Sequence, residues 1–161
     1  MTGFQALALT QPQQLTRYWD RPRPSDWVDV LATFPLFSGV SKRRLRKLVR
    51  DARFTEFASG ERVLSKGESG DSLYLILSGK ATAVGTPAAR TLGMGDYFGE
   101  LALVERAPRS AAVVATQELH VMTLSRQAFL RLARQQPAVT LTMLSNLSTK
   151  LQRLEAQVAS R

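Results

Sequence analysis

Three textures of hydrophobic and polar positions follow one another along the chain. From Ser25 to Arg53 the apolar residues recur at helical spacing. Trp27, Val28, Val30 and Leu31 form a first group, and Leu45, Leu48, Val49 and Ala52 a second at i, i+3, i+4 and i+7. Ser25 and Ser41 stand where N-caps belong, acidic side chains fall in the first turn after Ser25, and Pro35 ends the first helix. Between Phe54 and Leu124 the pattern shortens to β-prone runs at Arg62–Ser65, Leu73–Leu77, Ala81–Val84, Arg90–Leu92, Ala111–Ala115 and Leu119–Leu124. Eight of the ten glycines lie between Gly60 and Gly99, spaced as turns among these runs. Short strands at such intervals predict a sandwich or barrel. Helical character returns at Ser125, an N-cap for Arg126 to Gln136, and Pro137 opens a glycine-free helix reaching about Ser160. Along that helix Leu144, Leu147, Leu151, Leu154 and Val158 make a seam of about two heptads, fewer than a free-standing coiled coil needs. It can serve packing on the chain's own barrel or pairing with a second copy through residues 144–158. Residues 1–24, rich in Gln, Pro and Thr and without periodicity, are expected to be a flexible segment before a domain over 25–161.

Composition narrows this picture. The 161 residues suffice for one domain with a core, and 44% hydrophobic with 22% charged residues is ordinary for a soluble globular protein. No stretch approaches the roughly 18 apolar residues of a membrane span, and Met1 to Gln14 lacks the basic leader and apolar core of a secretory signal. A cytoplasmic location follows as the expectation. The absence of cysteine excludes thiol catalysis and thiolate metal sites. The single histidine, His120, is expected to be a partly exposed strand residue beside Glu118 and Met122. One histidine leaves no metal cluster and no nucleophile–base pair, so neither a metal site nor catalysis is expected.

The net charge of +9 is unevenly spread: residues 1–53 carry +6, residues 54–125 carry −2 and residues 126–161 carry +5. Lys42, Arg43, Arg44, Arg46, Lys47, Arg50 and Arg53 lie mostly opposite Leu45, Leu48 and Val49. Such a run reads as a solvated face, with acidic protein, lipid headgroups or nucleic acid as the alternatives.

Chemistry concentrates in residues 95–112. Small residues around Gly99 to Ala102 predict a turn opening a one-turn helix, whose first N–H groups lack internal partners and can face an anion. Gly99 allows close approach to the backbone. Nine residues after Glu100, Arg109 offers a planar two-pronged donor suited to phosphate. A carboxylate beside an anion is unfavourable unless a hydroxyl donates to it, so Glu100 points to a ribose. Together these residues could grip a singly charged cyclic phosphodiester and its sugar hydroxyl. A plain Glu100–Arg109 ion pair across the loop is the alternative.

Phe98-Gly99-Glu100-Leu101-Ala102-Leu103, a four-residue spacer, then Pro108-Arg109-Ser110-Ala111 resembles the phosphate-binding cassette of cyclic nucleotide-binding domains. That family includes protein kinase A regulatory subunits, cyclic nucleotide-gated channels and the catabolite activator protein. The resemblance covers roughly residues 26–155, including the turns Ala58–Glu61, Lys66–Asp71 and Leu77–Lys80. It implies an α+β fold, an antiparallel jelly roll of about eight strands between N-terminal helices and two C-terminal helices. It further implies ligand contacts from Gly99, Glu100, Leu101, Ala102 and Arg109, a phosphate bond from the Ser110 hydroxyl, and packing of Ala111 on the sugar-phosphate. Val84 and Leu92 would line the base pocket, with ordinary core roles as the alternative. Aligned from Pro137, Lys150 falls where some channels place a base-contacting cation, and the last helix would act as a lid. The implied function is a non-catalytic sensor of cAMP, ahead of cGMP, answering to a protein effector and needing no cofactor. A scaffold that keeps the fold without the ligand is the competing reading. A transcription regulator of the catabolite-activator type would need a helix-turn-helix after the last helix, and the chain stops at Arg161, so nucleic-acid binding is not expected.

Overall fold

Leu73 to Leu77 is an unbroken apolar run, and a strand built from it has no face to give to water. In the computed structural model this strand is covered on both sides. Leu73, Leu75 and Leu77 join a core shared with helices, while Tyr74 and Ile76 join a second core between two sheets. The structure describes residues 26–85, 89–105 and 108–160. The predicted flexible segment 1–24 and the cap Ser25 lie outside the described residues.

The strands are β1 (Arg53–Phe57), β2 (Arg62–Leu64), β3 (Leu73–Ser78), β4 (Ala81–Val84), β5 (Arg90–Leu92), β6 (Tyr97–Phe98), β7 (Ala112–Ala115) and β8 (Leu119–Leu124). They form two antiparallel four-stranded sheets, ordered β1-β8-β3-β6 and β2-β7-β4-β5. This is the expected jelly roll within an α+β fold. Strand β8 is central, with Val121 opposite Thr55 on one side and Ile76 on the other. Its alternation follows: Leu119 and Val121 enter the core between sheets, Met122 and Leu124 the core beneath the helices.

Helix α1 (Trp27–Ala32) is followed by a 3₁₀ turn at Pro35–Phe37 that buries Leu36 and Phe37. Helix α2 (Lys42–Asp51) begins at Ser41, whose hydroxyl accepts from the Arg44 amide at 3.3 Å. The short α3 (Ala102–Glu105) lies inside the roll sequence, and α4 (Arg126–Gln135) starts at Ser125, which accepts from the Ala128 amide at 3.1 Å. Helix α5 (Pro137–Ala159) then runs out with Pro137 in its first turn. Leu45, Leu48 and Val49 of α2 pack with Phe129 and Leu132 of α4 and with Val139 and Met143 of α5. Among the described residues no helix is long and apolar enough to cross a membrane.

Three expectations are corrected. Strands β1 and β6 fall outside the predicted runs. The seam of the last helix does not supply its buried face: Val139 and Met143 do, while Leu144 and Val158 are exposed. His120 is buried rather than partly exposed, at 5% of its surface, because β8 is paired on both edges, opposite Glu56 and Ser78. Its two ring nitrogens each lie 3.7 Å from a carboxylate oxygen, of Glu56 and Glu118.

Candidate functional site

The site begins where β6 ends. Gly99 turns the chain with φ of +84°, a conformation that a side chain disfavours. The helix that follows is Ala102–Glu105, one turn later than the predicted Gly99 to Ala102. Its lead-in is closed by turn bonds: the Ala102 amide donates to Gly99 O at 3.3 Å and the Leu103 amide to Glu100 O at 3.1 Å. The Ala102 amide is therefore engaged, contrary to expectation. The Glu100 and Leu101 amides donate to no backbone carbonyl among the described residues. Arg126 of α4 braces the cassette from below, its Nε donating to Leu103 O at 2.8 Å.

Arg109 is the most unusual residue of the site, a guanidinium with only 7% of its surface exposed. Its backbone is clamped to the β2–β3 loop, its N–H donating to Glu68 O at 2.9 Å and its carbonyl accepting from the Gly67 amide at 2.8 Å. Nη1 donates to Gly99 O at 3.3 Å and Nη2 to Ser72 O at 3.1 Å. The guanidinium carbon stands 5.7 Å from the centroid of the Tyr74 ring, which itself stacks on Phe98. Two glycines make room for it: a Cβ at Gly99 would lie 2.7 Å from Nη1, and one at Gly70 2.9 Å from Nη2. Nε is buried without a hydrogen-bond partner. Among the described residues no carboxylate pairs with Arg109. Glu100, the expected alternative, pairs instead with Lys150 at 3.0 Å.

Above these groups is a cavity of about 680 Å³, within the range of small-molecule sites. The cassette forms one wall, β4 and β7 another, and Leu147, Lys150, Leu151 and Leu154 of α5 a third. The structure thus brings together Gly99, Glu100, Leu101, Ala102, Arg109, Ser110, Ala111 and Lys150 around one space. It does not bring Val84 and Leu92 there. Antiparallel pairing sets Ala81 opposite Leu92 and Ala83 opposite Arg90, so these four share a face. Leu92 lies at the deep end of that face, 1% exposed in the core, and Ala83 and Arg90 reach the cavity. Val84 has the opposite parity and is half exposed. Arg90 is legible in the sequence as the residue two before Leu92, on the same strand face and nearer its open end.

Sequence reasoning also missed Tyr97 and Asn146. The Asn146 amide donates to the Tyr97 hydroxyl at 2.8 Å, joining α5 to β6. Burial pushes the Tyr97 phenol above its ordinary value of 10.0, the Asn146 bond opposes this, and the Glu100 charge adds to the rise. Chemically, the cavity offers a buried guanidinium that no carboxylate pairs among the described residues, two amides, a hydroxyl from Ser110, the carboxylates of Glu100 and Glu105 and an apolar wall.

Comparison with known proteins adds to this geometry. A family model described as cyclic nucleotide-binding domain matches residues 54–136. A cyclic nucleotide-gated potassium channel of Rhizobium etli is 31% identical over 146 residues, covering 89% of this chain and 41% of the channel. A cAMP-dependent protein kinase regulatory subunit of Hypocrea atroviridis is 38% identical over 103 residues, 63% of this chain and 22% of that protein. Among solved structures, the regulatory domain of Toxoplasma gondii PKA with cAMP aligns with a TM-score of 0.69 at 29% identity, over 80% of this chain and 50% of that one. The chain spans less than half the length of either curated relative.

Proposed function

The chain belongs to the cyclic nucleotide-binding domain family, and from that premise we propose that its cavity takes cAMP, ahead of cGMP, as a cytoplasmic sensor without catalytic activity. The observation that carries this is Arg109, a buried guanidinium whose partners among the described residues are carbonyls and an aromatic face, with no carboxylate. Burying a cation without a counter-charge is costly. A cyclic phosphodiester, carrying a single negative charge, supplies one counter-charge to that guanidinium and relieves the cost. Its oxygens would meet Arg109, the Glu100 and Leu101 amides and the Ser110 hydroxyl, and its ribose hydroxyl would donate to Glu100. The base would lie between Ala83 and Arg90 on one side and Leu147, Leu151 and Leu154 on the other. Preference for cAMP is supported by relatives whose names are those of cAMP-dependent kinase subunits.

The output is a population shift. A wall of the cavity belongs to α5, so ligand favours the arrangement in which α5 covers the site, and an effector or a second copy would read the exposed Leu144 and Val158. The test is a calorimetric titration with cAMP and cGMP, wild type beside Arg109→Ala. Losing one or two charge-assisted bonds should weaken cAMP binding by about 10²- to 10³-fold. Absence of heat with either nucleotide for the wild-type protein would overturn the proposal and favour a scaffold. Appearance of AMP during incubation with cAMP would overturn its non-catalytic part.

A further inference from the structure

Asn146 and Lys150 are one helical turn apart and share a face of α5. Both reach the same stretch of chain, Asn146 donating to Tyr97 Oη at 2.8 Å and Lys150 Nζ to Glu100 Oε1 at 3.0 Å. The second contact involves the carboxylate of a cassette residue that lines the cavity. The Glu100 side chain is 12% exposed and that of Lys150 35%, so the pair is partly shielded from water. A lone carboxylate at this depth would repel the anion that Arg109 attracts. With an ammonium on one oxygen the pair is neutral overall, and the other oxygen keeps its lone pairs for a donor.

Resting on the reading of this cavity as a cyclic nucleotide site, we infer that Lys150 is a positioning residue acting through Glu100, and not a contact for the base. It neutralises and orients the carboxylate so that its second oxygen meets the ribose 2′-hydroxyl. Because Lys150 is on α5, the sugar is read fully only when that helix is docked on the cassette. Sugar selectivity and helix position are thereby joined through one ion pair.

The test uses the full chain as wild type, Lys150→Met, Lys150→Arg, Glu100→Gln and, as a control on an exposed position of the same helix, Arg153→Met. The first measurement is amide hydrogen exchange without nucleotide. Lys150→Met should speed exchange over residues 144–159 and leave β3 and β8 unchanged, whereas Lys150→Arg and Arg153→Met should match the wild type. The second is the ratio of dissociation constants for 2′-deoxy-cAMP and cAMP. It should be about 10- to 100-fold in the wild type, the usual weight of a hydrogen bond to a charged group. In Lys150→Met it should collapse toward the ratio of Glu100→Gln, and Lys150→Arg should restore most of it. A wild-type ratio near one, or an equal ratio in wild type and Lys150→Met, overturns the inference while leaving nucleotide binding in place. Failure of the wild type to bind cAMP and cGMP overturns the proposed function itself, a different result.

Discussion

Gly99 and Gly60 have almost the same backbone conformation, φ of +84° and +90°, and very different surroundings. Alanine at either position meets the steric cost of the left-handed region, about 1–2 kcal/mol, part of which is offset by a less flexible unfolded chain. At Gly60 nothing lies within 4 Å of the added Cβ, so Gly60→Ala should cost about 1 kcal/mol and no more. At Gly99 the same atom would sit 2.9 Å from Ser72 O and 2.7 Å from Arg109 Nη1. The carbonyl belongs to the backbone just before β3 and cannot yield cheaply. The guanidinium can move, but only by giving up its bonds to Gly99 O and Ser72 O. This crowding should add roughly 1–3 kcal/mol, giving about 2–4 kcal/mol for Gly99→Ala. Urea denaturation of both variants measures the difference directly. The same pair should separate in cAMP titrations, with binding weakened at least tenfold in Gly99→Ala and unchanged in Gly60→Ala, a tenfold loss being about 1.4 kcal/mol. Equal destabilisation by the two substitutions would refute the close approach of Arg109 to the cassette turn.

Other expectations concern the frame of the site. The Tyr97 phenol has a folded-state value above 10.0, so its neutral form stabilises the fold below that pH and the contribution is lost as pH rises through the raised value. Ultraviolet titration should show a phenol ionising above 10.0 that is absent from Tyr97→Phe; its persistence in that variant would assign the shift elsewhere. Ser125→Ala removes the cap on the Ala128 amide and should cost about 1 kcal/mol by chemical denaturation, with full stability refuting the cap. Leu75→Ala, at a fully buried position of β3, should cost about 2–5 kcal/mol, whereas Leu144→Ala, 61% exposed, should stay within about 0.5 kcal/mol. A large loss at Leu144 would mean that this helix face is covered in solution.

The cassette was readable because its chemistry is local. Gly99, Glu100, Arg109 and Ser110 lie within a dozen residues, and the turn that brings them together is written in the same stretch. The run from Leu73 to Leu77 was likewise legible as a strand, and its cover on both faces emerges from the fold. What escaped reading depends on pairing at a distance. Whether Val84 or Ala83 faces the cavity is a matter of one residue of register between β4 and β5, which a four-residue strand does not specify alone. Tyr97–Phe98 is too short to show a period, and it is a strand only because β3 offers it an edge. His120 is buried by two neighbouring strands, neither adjacent to it in sequence. The Lys150 side chain was placed at the site by alignment, but its partner, Glu100, lies fifty residues away and emerges only from the packing of α5.

Helix α5 is buried near its start, tied to β6 and the cassette by Asn146 and Lys150, and exposed beyond them. Val139 and Met143 are its buried residues, and every position from Leu151 to Ser160 is exposed. From Met143 to Ala159 the helix projects about 24 Å, at 1.5 Å per residue. Once the Asn146–Tyr97 and Lys150–Glu100 contacts are released, it is in effect a lever pivoting on two side chains, so that each degree of tilt at the fulcrum sweeps the tip by about 0.4 Å, from that length. A rearrangement too slight to disturb the roll thus becomes, at the far end, a displacement that a neighbouring surface can feel.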